Sequence, residues 1–262
     1  MRDCLKDLNI VGATLAFREG ELIRHCLDDL TDFCDSVVVV LDNQDKKTEK
    51  IVREYDVIVA ESGFPTETGE KKGALKRRWK RNQGKIRQRV LEEVKKVHQK
   101  KNIDLLIWLD ADECFTNYFP EKLQWFWEGD WEMLCIRPIT VFDGLNILRG
   151  KTCVPNGRVF KYRPDISALG YHRALYNPFV AEKRARAYYI TIHLAYLTQE
   201  HRDFRKDYVG HRRHEEPKSR LWILDRSAKE LSPDDVQEIF KTMPHSCRVD
   251  EYLEKNYGKK VS

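Results

Sequence analysis

The stretch Asp104-Leu-Leu-Ile-Trp-Leu-Asp110-Ala-Asp112-Glu113 joins an uninterrupted apolar run to three carboxylates. Carboxylate oxygens are hard donors, and a pair of them two residues apart suits a divalent cation, which would in turn neutralise a phosphate-bearing ligand. On a locally extended backbone Asp110 and Asp112 would point the same way. Leu105 to Leu109 is too short for a buried helix and has no polar interruption, so it predicts a strand covered on both faces of a mostly parallel sheet. The acids then fall at the carboxyl end of that strand, the edge at which open α/β sheets place their ligands. The competing reading is a helix start, with the acids complementing the amides of the following turn. Capping needs one acid and leaves the buried strand unexplained.

The elements that must position these acids are legible in order. Ile10 to Leu15 predicts a first strand, and Glu19 to Leu30 a helix with Leu22, Ile23, Cys26, Leu27 and Leu30 on one apolar face. Val37 to Leu41 predicts a second buried strand ending in Asp42-Asn43, then come a short helix from Lys46 to Tyr55 and a third strand from Val57 to Ala60. Strand, helix, strand, helix, strand is the first half of a nucleotide-binding sheet with right-handed crossovers. Ser62 to Gln83, with Gly63, Pro65, Gly69 and Gly73, predicts a mobile loop of about twenty residues, a length more often functional than decorative. A helix from Gly84 to His98 carries Ile86, Val90, Val94 and Val97 to the Asp110 strand. Beyond the acids the pattern predicts a helix from Pro120 to Trp127, a strand from Met133 to Val141, a hairpin about Pro155-Asn156-Gly157 and a strand from Tyr188 to His193. From Gln199 onward the chain reads as a charged helical extension, with a helix start at Ser232-Pro233-Asp234-Asp235 and Val236, Ile239, Phe240 and Met243 on its buried side.

With 262 residues, 41% hydrophobic and 34% charged, the chain is long enough for one large α/β domain or for a domain with an appendage. No stretch approaches a membrane span and the amino terminus is no secretory signal, which leads to the expectation of a soluble, cytoplasmic protein. Seven scattered cysteines with no C-x-x-C pair suggest reduced thiols rather than a zinc site or a disulfide framework. The formal net charge is only +5, yet between Lys71 and Lys101 fourteen Lys and Arg meet two acids, Glu92 and Glu93. Such a block would attract a polyanion.

Taken together, the first strand ending at Phe17-Arg18-Glu19, the second at Leu41-Asp42-Asn43, the basic helix start Gly84-Lys85-Ile86-Arg87-Gln88-Arg89, and Trp108-Leu109-Asp110-Ala111-Asp112-Glu113 resemble family 2 glycosyltransferases of the GT-A fold. The resemblance covers residues 8 to 120 and then thins to Gly157-Arg158-Val159-Phe160-Lys161, His172 and His193. It implies an α/β fold, a Rossmann-like, mixed and mostly parallel sheet flanked by helices. The glycosyltransferase domain would occupy 1–198, with a nucleotide-sugar half at about 8–115 and an acceptor half at 116–198, and the helical extension 199–262. It implies an inverting transfer from a nucleotide-diphosphate sugar. Ala16, Glu19, Asp42, Arg87, Arg89 and Asp110 would line the donor, and Asp110, Asp112 and His193 would hold Mn²⁺ or Mg²⁺. Such an ion screens the charge that develops on the leaving diphosphate. A carboxylate accepts from the uracil N–H, so UDP is the expected carrier. Capping remains open for Glu19 and Asp42, a solvated basic face for Arg87 and Arg89, and a core histidine for His193.

An inverting transfer needs a base for the acceptor hydroxyl. Related members often place His-Glu on the acceptor side, whereas this chain reads His172-Arg173; Asp143 and Asp165 are the candidate bases, Asp143 ahead of Asp165, which follows Pro164 in an ordinary turn. The acceptor is expected to be a cell-envelope saccharide or, given the basic block with Trp79 and the later Arg202, Arg205, Lys206, Arg212 and Arg213, a hydroxymethylated base in DNA. Two other classes compete. A non-catalytic nucleic-acid-binding protein accounts for the basic block but not for carboxylates on a phosphate-binding surface. A nucleotidyltransferase would carry a glycine-rich basic loop after the first strand, where Gly12-Ala13-Thr14-Leu15-Ala16-Phe17-Arg18 lies largely within the strand.

Overall fold

The computed structural model describes residues 5–42, 46–64, 74–116, 119–142, 146–148, 156–168, 175–176 and 183–196. The extension from Gln199 onward, the helix start at Ser232, His172-Arg173 and Asp143 lie outside these residues. β1 (Ile10–Ala16), β2 (Ser36–Leu41), β3 (Ile58–Glu61) and β4 (Leu105–Trp108) form the parallel half of one nine-stranded sheet, side by side in the order β3-β2-β1-β4. Beyond β4 the sheet continues through β8 (Asn156–Lys161), β6 (Met133–Phe142), β11 (Arg184–Tyr196) and β5 (Glu113–Phe115), with β7 (Asn146–Leu148) off the edge of β6. In this second half β6 and β11 run parallel and the other pairings are antiparallel. A separate ribbon joins β9 (Ser167–Ala168) to β10 (Leu175–Tyr176).

The apolar runs of β1, β2 and β4 are explained by burial on both faces. Alternate side chains serve two cores. Val37, Val39, Leu41, Leu105 and Ile107 pack with Leu27 and Leu30 of α1 (Ile23–Phe33), Ile51 and Val52 of α2 (Lys46–Val52), and Leu123 and Phe126 of α4 (Phe119–Glu128). Val38, Val40, Leu106 and Trp108 pack instead with Val90, Leu91 and Val94 of α3 (Ala74–Lys100). Helices thus cover both sides of the sheet. Close approach of α1 to β1 is possible because position 12 lacks a side chain: a Cβ on Gly12 would stand 3.0 Å from both Cys34 Sγ and Leu30 Cδ2.

Three local expectations change. The helix α3 begins at Ala74 rather than Gly84, so the second half of the expected loop is helical. Ala-Leu-Lys-Arg-Arg-Trp-Lys-Arg-Asn-Gln has no proline or glycine, and its strong helix formers outweigh the like charges. Asn156 and Gly157 lie in β8 rather than at a hairpin tip. A Cβ on Gly157 would be 2.5 Å from Met133 Sδ, so the glycine serves strand packing. Finally, Glu113 N donates to Asp110 O at 2.8 Å, making 110–113 a turn where an extended backbone was expected. None of the described helices is long and apolar enough to cross a membrane.

Two predictions follow from this packing. Gly12→Ala should destabilise the fold by about 1–3 kcal/mol through overpacking, as read by urea unfolding. His25 is buried in α1, and burial pushes its imidazole down to about 4 against the opposing charge of Asp28. Unfolded histidine takes a proton near 6.5, so its contribution to stability is present above that pH and lost as pH falls towards 4. Between pH 7 and 4 the stability of wild type relative to His25→Gln should therefore fall by about 2–3 kcal/mol. An unchanged difference would contradict the buried neutral imidazole.

Candidate functional site

Because β1, β2, β3 and β4 are parallel, their carboxyl ends meet at one edge. The backbone ladder continues past them. Asp42 N donates to Ala16 O at 2.9 Å, Ser62 N to Leu41 O at 2.9 Å and Leu109 N to Ala13 O at 3.1 Å. Ala16 and Asp42 are buried there, and an oxygen of Asp42 accepts from Ser62 Oγ at 2.7 Å. Arg18 follows β1 with φ +53°, a left-handed conformation rare outside glycine, and turns the chain towards Glu19. Glu19 opens a single 3-10 turn through its carbonyl, which accepts from Leu22 N, while its carboxylate makes no capping bond.

The acids after β4 form a compact charged cluster. Asp110 is half-buried, whereas Asp112 and Glu113 are buried. Glu113 opens β5, which pairs antiparallel to β11 with His193 opposite Glu113. Leu194 N donates to Asp112 O at 2.7 Å, and His193 Nε2 lies 3.4 Å from Asp112 Oδ2. From β8 comes Arg158, whose Nη2 is 2.5 Å from Asp110 Oδ2 and 2.6 Å from Glu113 Oε1. The register between β6 and β8 steps from Leu134↔Val159 to Cys135↔Gly157, so Arg158 is an extra residue in the strand. Bulges of this kind re-aim a side chain. Trp108 Nε1 donates to the other oxygen of Asp110 at 3.0 Å, and the guanidinium of Arg87 lies 5.9 Å from the Trp108 ring centroid.

Charge and burial set the protonation of the cluster. Burial pushes the Asp110 carboxyl up, but the charge and hydrogen bond of Arg158, aided by Arg87, more than offset it and hold the group down at about 2. Glu113 is pushed up to about 7 by burial, despite the nearby Arg158. Burial lowers Arg158, yet Asp110 and Glu113 prevail and raise it well above its ordinary value. Arg87 is lowered by burial. Asp110 and Arg158 are therefore a charged pair at neutral pH.

The donor chemistry fits a cation shared with a ligand rather than a closed cage. Two donors each about 2.1 Å from one ion stand roughly 3.0–3.5 Å apart, and Asp112 Oδ2 and His193 Nε2 are separated by 3.4 Å. Among the described residues no group of three His, Cys, Asp or Glu side chains forms a metal-binding set. Further ligands would be ligand phosphates and water, the usual situation for Mg²⁺.

The expected residues separate into distinct groups. Asp110, Asp112 and His193 come together, Arg87 lies beside them, and Ala16, Glu19 and Asp42 occupy the same edge. Arg89 is engaged elsewhere, 2.5 Å from Glu93, 3.3 Å from Glu92 and 3.4 Å from the Glu61 carbonyl. Asp165 does not share the edge that carries the acids. It is exposed in a turn, 3.3 Å from Arg163, just after Tyr162, whose N–H bonds to Asp104 at the amino end of β4. Antiparallel β8 carries the chain to the edge opposite the acids. The pairing of Arg158 with Asp110 and Glu113 is not legible in the sequence, although a lone arginine beside the apolar residues Val159 and Phe160 is a usable signal of a buried ion pair.

No family model matches the sequence, and no curated protein matches it. The chain is similar over part of its length to solved structures. One is glucosyl-3-phosphoglycerate synthase from Mycobacterium tuberculosis in complex with Mn²⁺, uridine diphosphate and phosphoglyceric acid, at 16% identity and a TM-score of 0.34, covering 51% of this chain and 44% of that one. A mycobacterial protein gives 15% identity, a TM-score of 0.35, and coverage of 52% and 43%. S. aureus TarS 1-349 gives 14% identity, a TM-score of 0.39, and coverage of 71% and 60%. The match spans less than half the length of the first two structures and less than two thirds of the third.

Replacing Arg158 by Met leaves buried carboxylates without their counter-charge. Urea unfolding should show a loss of about 3–5 kcal/mol. Adding Glu113→Gln to Arg158→Met should restore part of it, and a double variant no more stable than the single one would contradict the pairing.

Proposed function

We propose that the chain is a metal-dependent, inverting glycosyltransferase that moves a sugar from a nucleotide-diphosphate donor, UDP by preference, to an acceptor hydroxyl. The observation that carries this reading is the meeting of Asp112 and His193 at 3.4 Å on the carboxyl edge of the sheet, beside Asp110 and within one edge of Asp42. The family resemblance of residues 8 to 120 agrees with it. Asp112 and His193 would hold Mn²⁺ or Mg²⁺; imidazole nitrogen tips the preference towards Mn²⁺. The bound ion would supply Lewis-acid stabilisation of the leaving diphosphate. Asp110, oriented by Trp108 and Arg158, accepts from donor hydroxyls; Asp42 and Glu19 serve the uridine; Arg87 reaches the diphosphate, with Arg89 a more distant contributor. Asp143, after β6, is assigned as the acceptor base.

The acceptor is assigned to a phosphate-rich class, either a hydroxymethylated base in DNA or a phosphate-bearing saccharide. The helix α3 has 27 residues and so runs about 40 Å, whereas the seven residues of β1 span about 23 Å. Its carboxyl end leads into the amino end of β4, so it runs against the parallel strands. Its basic first turns thus project past the edge that carries the acids, within reach of a polyanionic acceptor. A non-catalytic nucleic-acid binder would gain nothing from buried carboxylates at that edge.

The decisive measurement is ligand-induced stabilisation. UDP with Mn²⁺ should raise the melting temperature, EDTA should abolish the rise, and Asp112→Asn should reduce turnover of a UDP-sugar by about 10²-fold or more at unchanged folding. Absence of any response to a panel of nucleotide diphosphates with Mn²⁺ would overturn the reading. Retention on heparin that does not weaken with salt would remove the phosphate-rich acceptor.

A further inference from the structure

A single nitrogen of Arg158 occupies the position that a cation would take between two acids. Guanidinium–carboxylate pairs commonly present two nitrogens to one carboxylate. Here Nη2 alone touches both Asp110 Oδ2, at 2.5 Å, and Glu113 Oε1, at 2.6 Å. The Arg158 Nε and Glu113 Oε2 atoms are buried and meet no hydrogen-bond partner among the described residues. An ion pair optimised for stability would engage both of them. The Arg158 side chain is only 7% exposed, and it is the residue inserted at the register step of β8. Both oxygens of Asp110 are engaged by protein donors, Arg158 on one and Trp108 on the other.

We propose that Arg158 is a built-in cation, a positioning residue that keeps Asp110 and Glu113 out of the metal's coordination shell and limits the site to one divalent ion at Asp112 and His193. The inference rests on the metal-dependent reading above and adds which acids bind the ion and which do not. Geometry supports it: one guanidinium nitrogen already stands between Asp110 and Glu113. Without the guanidinium, the carboxylate pair Asp110 and Glu113 is a hard oxygen site of the kind that takes a second ion. Asp110 then acts as an oriented anion facing the donor's hydroxyls, not as a ligand.

The test is titration of the full chain with Mn²⁺ at a UDP concentration that saturates each variant, following unbound Mn²⁺ by electron paramagnetic resonance, with circular dichroism as the folding check. Wild type should bind one ion. Asp110→Asn should keep its affinity within about threefold, while Asp112→Asn should lose tenfold or more. Arg158→Gln should gain a second ion or bind roughly tenfold more tightly, and Arg158→Lys, which restores a point charge, should return to the wild-type pattern. The proposal is overturned by an Asp110→Asn that loses as much affinity as Asp112→Asn. A folded Arg158→Gln with wild-type stoichiometry and affinity overturns it equally. Should Arg158→Gln not fold, the comparison of Asp110→Asn with Asp112→Asn decides alone. A wild type that binds no Mn²⁺ overturns the proposed function as well, an outcome distinct from one ion in wild type and none in Asp110→Asn, which overturns this inference only.

Discussion

Three carboxylates within four consecutive residues, two of them buried, cannot be tolerated without positive charge close by. Like charges repel more strongly where water is excluded, and isolated buried carboxylates take up protons instead. Arg158 resolves most of this conflict by bridging Asp110 and Glu113, and it holds Asp110 ionised. Glu113 shows what remains, since its carboxyl is still pushed up to about 7 by burial. The acids can be packed against β11 and the sheet only because β8 delivers that guanidinium.

The constraint explains otherwise odd features of the second half of the sheet. β8 is antiparallel to both β4 and β6, and its register against β6 slips by one residue at Arg158. Without the slip the side chain would keep strict alternation with its neighbours, and its direction would be fixed by the pleat. β5 is only three residues long, yet it fixes Glu113 opposite His193 and so places imidazole beside Asp112. The short strand, the bulge and the turn at 110–113 form one device for bringing charges from three parts of the chain to one edge.

The parallel half has a different task. Its strands are covered on both faces, and their carboxyl ends present Ala16, Asp42 and the Asp110 turn along a common line. Close packing of α1 on β1 at Gly12 leaves no room for a side chain between them. Carboxyl ends of parallel strands are where open α/β sheets place their ligands.

The sequence by itself determined the alternation of apolar strands and helices through β4, the acids at the end of an apolar run, the helix of residues 119–128 and the long apolar strand before Phe142. Each is encoded by neighbours within one or two turns of chain, so periodicity exposes it. The tertiary structure alone decided that Arg158 bridges acids 48 and 45 positions away, that His193 meets Asp112, and that Asp165 falls at the opposite edge. Those outcomes depend on strand direction, sheet order and a one-residue slip of register. No local pattern records them, because a strand has the same alternation whichever way it runs and whichever neighbour it joins.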